Sequence, residues 1–117
     1  MGKGIGEAPM KTSIVYFAND ARQATVTPTL WQWDYGQKIL VRGLTLPADY
    51  TVQIGFAGDE EFEGYTGDIA GIAIPDKYLE RGKEILIFIY LADDNTGNTS
   101  YLIRCPVRKR AKLTIEE

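Results

Sequence analysis

An all-β fold, an antiparallel sandwich of about seven strands with one short helical turn, is the architecture this sequence predicts. Three observations predict it. Stretches rich in β-branched and aromatic residues recur at roughly ten-residue spacing. Gly, Pro, Asn and Asp punctuate them. No segment carries an apolar stripe at helical period long enough to build a helical layer. The 117 residues fit one domain able to bury a core without a disulfide or metal staple.

Taken in order, residues 1–11 are rich in glycine, carry Pro9 and have no periodicity, so a flexible arm is expected there. Gly2, Gly4 and Gly6 do not make a phosphate loop, because no Gly-Lys-Ser/Thr follows them. Residues 12–18 (TSIVYFA) read as a strand buried on both faces or one lying early in a sandwich, ended by Asn19 and Asp20. A short strand at 24–27 meets Pro28, which favours an edge or a bend.

The densest aromatic stretch is Leu30-Trp31-Gln32-Trp33-Asp34-Tyr35-Gly36-Gln37. Strand alternation would put Trp31, Trp33 and Tyr35 on one face and Leu30, Gln32 and Asp34 on the other. Residues 38–44 (KILVRGL) resume strand character, and the two segments are expected to form a hairpin about Gly36. Tyr50, Val52, Ile54 and Phe56 alternate with Thr51, Gln53 and Gly55, the cleanest period-2 signal, with the apolar set facing inward. Asp59, Glu60, Glu61 and Glu63 lie between glycines and read as a solvated loop, since their spacing fits no calcium loop.

Residues 68–74 suggest another short strand. Pro75 to Gly82 has proline at a helix start and glycine at a helix end, predicting one or two helical turns. Residues 84–92 (EILIFIYLA) are the longest apolar run and predict a central strand. The Asn/Asp/Gly-rich residues 93–98 predict a turn, after which residues 100–107 pair back, with Pro106 at the strand end. The resulting division is an arm at 1–11, an immunoglobulin-like or related sandwich at 12–108, and a charged tail at 109–117.

Several chemistries lack their residues. There is no histidine, the usual base for a serine or cysteine nucleophile and the commonest zinc ligand. The lone Cys105 has no internal disulfide partner and fits a small buried hydrophobe. No carboxylate pair is singled out by spacing. The expectation is therefore a non-enzyme with no catalytic, cofactor-binding or metal residues and no cofactor. No apolar run reaches the ~20 residues of a membrane span and residues 1–10 lack a signal-peptide centre, so no membrane association and synthesis in a cytoplasm are expected. Net charge −3 gives no reason to expect nucleic acid, although Arg104, Arg108, Lys109, Arg110 and Lys112 form a basic cluster.

The aromatic stretch, Leu44-Thr45-Leu46-Pro47 with Tyr50, Ile74-Pro75-Asp76-Lys77-Tyr78-Leu79 with Gly82, and Cys105-Pro106-Val107-Arg108-Lys109-Arg110-Ala111-Lys112 together resemble the immunoglobulin-like domains of phage and prophage structural proteins from Gram-positive hosts, of the baseplate-upper, tail or fibre-anchoring type. The similarity spans about residues 11–112. It implies a virion subunit, a head-decoration, fibre-anchoring or tail/baseplate piece, multimeric on the particle and attached to other virion structural proteins through its termini and loops. Met1, Lys3, Ile5, Arg108, Lys109, Arg110 and Lys112 are the candidate partner-binding residues. The members resembled usually continue beyond the basic segment. A carbohydrate-binding module is the alternative, with Trp31, Trp33 and Tyr35 as a stacking platform for a sugar such as a host-surface glycan. The competing view of these aromatics is that they are core.

Overall fold

The computed structural model describes residues 11–93 and 97–112. Residues 1–10, 94–96 and 113–117, and with them Met1, Lys3, Ile5 and most of the expected arm, lie outside the described residues. The described chain is an all-β sandwich. Its strands are β1 (Lys11–Tyr16), β2 (Gln23–Thr25), β3 (Leu30–Trp31), β4 (Gln37–Arg42), β5 (Asp49–Phe56), β6 (Glu63–Asp68), β7 (Ile72–Ile74), β8 (Ile85–Asp93), β9 (Gly97–Cys105) and β10 (Val107–Arg108). One helical turn, α1 (Asp76–Leu79), lies between β7 and β8.

The larger sheet has the order β2-β9-β8-β5-β6, and the smaller has β1-β4-β7. β8 is central, as its unbroken apolar run predicts, with β5 and β9 antiparallel on either side. The inner face of the larger sheet is set by strand alternation: Val52, Ile54, Ile85, Ile87, Ile89, Ile103 and Cys105 are fully buried. Facing them from the smaller sheet are Val15, Ile39, Ile72 and Ile74. Each such side chain contributes about 1.5–3 kcal/mol by leaving water. A one-residue slip of β5 would send Val52 and Ile54 outward and Thr51 and Gln53 inward, which fixes the register.

Pairing is not uniformly antiparallel. β1 runs parallel to β4, β2 parallel to β9 and β3 parallel to β10. Of the two alternatives for residues 12–18 the early sandwich strand is the one found, and one further local expectation is overturned. Residues 12–18 are not buried on both faces: Ser13, Val15 and Phe17 face inward, while Ile14 and Tyr16 are 46% and 67% exposed. β1 is an edge strand of a sheet with one side turned to solvent, so only alternate residues reach the core. The expected hairpin between the Trp31 segment and residues 38–44 does not form either. Both edges of β4 are already occupied, by β1 and β7, which leaves β3 to pair with β10.

Residues 68–74 split into the end of β6 and the whole of β7, because a tight turn closed by reciprocal Asp68 and Gly71 backbone bonds separates them. The carboxylate run is a loop only as far as Phe62, and Glu63 opens β6. Gly71 has φ +116°, and a side chain there would strike the Ile39 carbonyl oxygen at 2.5 Å. Ser13 and Gln37 are the buried polar side chains among the described residues, and each is hydrogen-bonded, to the Pro28 and Tyr35 carbonyls.

Candidate functional site

The aromatic stretch and the basic segment, 77 residues apart at Trp33 and Arg110, meet at one end of the sandwich. β3 is only two residues long. Leu30 enters the core and Trp31 stays 37% exposed. The chain then turns: the Asp34 amide donates to the Trp31 carbonyl, and Trp33 takes a left-handed φ of 72°. A bulky residue adopts that conformation at a cost of about 1–3 kcal/mol, so its surroundings must hold it. They do so through the indole N–H, which donates to the Arg110 carbonyl at 2.8 Å. Gly36, at φ 65°, donates its amide to the Asp76 carboxylate at 3.0 Å and joins the loop to α1.

Trp31, Trp33 and Tyr35 therefore do not share a strand face, which corrects the alternation expected for this stretch. None of the three is buried in the core. Instead residues 106–112 lie along them. The Leu30 amide donates to the Pro106 carbonyl at 3.2 Å and the Gln32 amide to the Arg108 carbonyl at 2.9 Å. The Gln32 side chain works in two directions. Its Oε1 accepts from the Arg110 amide at 3.0 Å and its Nε2 donates to the Glu80 carbonyl at 2.9 Å, so it bridges the C-terminal segment to the end of α1. Gly82, at φ +64°, lets the backbone pass close to that side chain; a Cβ there would lie 2.9 Å from its Cδ.

Charge follows the backbone. Arg110 Nη2 pairs with Asp34 Oδ1 at 2.6 Å. The guanidinium carbons of Arg108 and Arg110 lie 5.6 and 5.8 Å from the Trp31 ring centroid, and the Lys112 ammonium lies 4.9 Å from that of Trp33. Each such contact stabilises by about 0.5–1 kcal/mol at an exposed site. Trp33, Tyr35, Arg110, Ala111 and Lys112 border a shallow, mostly apolar groove of about 430 Å³. Two groups of residues that the sequence offered as separate alternatives thus form one surface. Arg104 is not part of it, since it lies within β9 and its Nη1 is held by both Glu84 oxygens at 3.2 Å.

A second polar cluster sits at the β6 edge. Glu63 accepts from Lys77 Nζ at 2.8 Å, from the Tyr65 hydroxyl at 2.9 Å and from the Tyr78 hydroxyl. The Lys77 ammonium, then the two hydroxyls, lower its carboxyl from 4.5 to about 2. Burial first and the Glu63 carboxylate second raise the Tyr78 hydroxyl. Cys105 is fully buried, and burial, with the Glu84 charge behind it, raises its thiol. Among the described residues no group of three Asp, Glu or Cys side chains is placed to hold a metal ion, and no helix is long and apolar enough to cross a membrane.

The residues that sequence reasoning missed are Gln32, Asp34, Asp76 and the Glu80 carbonyl. Their signal was faint: two polar residues interleaved with tryptophans, and a glycine at position 82. Fold and site define a β-sandwich with an aromatic clamp over its own basic segment. No protein-family model and no curated protein sequence matches the chain.

Proposed function

We propose that the chain is a non-enzymatic structural or accessory protein of a phage virion, a head-decoration, fibre-anchoring or tail/baseplate subunit with an immunoglobulin-like sandwich, which attaches to other virion subunits through its terminal segments and loops. What supports this, beside the resemblance of its motifs, is the convergence of both boundaries of the sandwich on one segment. β1 begins at Lys11 opposite Gln37, and residues 106–112 are laid along Leu30 to Asp34. Residues 106–112, already held against the sandwich, are presented to a neighbour with little ordering cost. Individual contacts can then be weak, because many copies on a symmetric particle convert them into avidity. Mass spectrometry of purified virions from the source phage tests this. The expected result is the protein at structural copy number; its absence from particles, with free protein in the lysate, would refute the proposal.

A further inference from the structure

The clamp leaves its cations unspent. Arg110 is paired with Asp34, but no ion pair joins Arg108, Lys109 or Lys112 to another described residue. All three are exposed, on a chain whose net charge is −3. Arg108, Arg110 and Lys112 occupy alternate positions, the first two gathered on the Trp31 ring and the third on that of Trp33. A guanidinium or ammonium held over an aromatic ring keeps N–H donors for an anion. Tyr35, 47% exposed, offers an apolar contact beside them. Among the described strands β10 is paired on one edge only, by β3.

We propose that this surface is a docking site for an extended acidic segment of a neighbouring protein, with carboxylates at alternate positions. Resting on the virion-subunit proposal above, it names the chemistry of the partner. Carboxylates at alternate residues answer cations that also stand at alternate residues. The residues between them meet the apolar groove walled by Trp33 and Tyr35, and the free β10 edge can take up main-chain hydrogen bonds. Single-stranded nucleic acid repeats its phosphates at a similar interval. A long polyanion, however, meets the negative field of the whole chain, whereas a short acidic segment meets only the local cations.

The chain's two tryptophans both lie at this site, so intrinsic fluorescence reports on it directly. The probes are three: a nonapeptide with glutamate at alternate positions and threonine between, an isomer with the same glutamates contiguous, and a thymidine oligonucleotide of equal charge. The expected result in dilute salt is a saturable tryptophan signal with the alternating peptide. Binding should weaken by about ten-fold or more for the isomer, for the R108E/K112E variant, and at salt high enough to shorten screening below about 8 Å. No saturable signal up to about 1 mM peptide would overturn the proposal. So would equal affinity for the two isomers, undiminished binding by a folded R108E/K112E variant, or tighter binding of the oligonucleotide. Failure here is separable from failure of the virion proposal: a virion-resident protein that ignores the peptides refutes only the docking site, and a peptide-binding protein absent from particles refutes only the virion role.

Discussion

Replacing Gln32 with alanine tests whether the C-terminal segment is a strap held locally or a part of the global fold. The substitution removes two hydrogen bonds, from the Arg110 amide at 3.0 Å and to the Glu80 carbonyl at 2.9 Å. Both are solvent-accessible, so water replaces the lost partners and each costs about 0.5–1.5 kcal/mol rather than the full penalty of an orphaned buried group. The Trp33 indole bond, the Arg110–Asp34 pair and the three cation–ring contacts remain. Only the bond at the Arg110 amide bears directly on opening of the strap, so local stability should fall by about 0.5–1.5 kcal/mol, a factor of roughly 2–13 in the open population. Hydrogen exchange resolved by residue measures this. The Arg110 amide should exchange about 2–13 times faster in Q32A, while the amides of β8, bonded on both edges, keep their protection. Unchanged exchange at Arg110 would show that Gln32 does not hold the strap. Acceleration of Arg110 and β8 by one common factor would show that strap and core unfold as a unit.

Three further outcomes are expected. Val52→Asp places a carboxylate at a fully buried inner position of β5 and should unfold the domain; a circular dichroism melt unchanged from wild type would refute the strand register. Glu63, whose carboxyl is lowered to about 2, contributes stability that is present above its unfolded pKa and is lost as pH falls through the folded value. Thermal melts of wild type and Glu63→Gln should therefore differ near neutral pH and converge toward pH 2, and a gap that persists in acid would exclude the ion pair as its source. Cys105, fully buried with a raised thiol pKa, should resist iodoacetamide in native buffer and react in denaturant, both followed by intact mass; rapid native alkylation would contradict its placement.

The parts of the fold governed by alternation were legible in the sequence. Tyr50, Val52 and Ile54 face inward as expected, and the run Ile85 to Leu91 forms the central strand. Pro75 and Gly82 frame the single helical turn because their backbone preferences act locally. Partner choice between strands was not legible. Nothing in residues 38–42 says that β1 and β7 will take both edges of β4, since parallel pairing carries no turn signature. The site failed for the same reason. Trp31, Trp33 and Tyr35 read as one face only if the strand continues, and a left-handed Trp33 stops it for a bond to a carbonyl far along the chain. Composition supplied both halves of the clamp, aromatic and basic, and only tertiary structure joined them.

The parallel β3–β10 pair also sets an order of events during synthesis. Residues 11–16 have their β4 partners only some 26 positions further on, but the Leu30–Trp31 edge and the two indoles have no covering strand until residues 107–112 are made. Through most of translation the nascent chain displays an open aromatic surface, and closing it spans a loop of some 77 residues, whose entropic cost grows only slowly with length. The basic segment, arriving last, is what covers those rings.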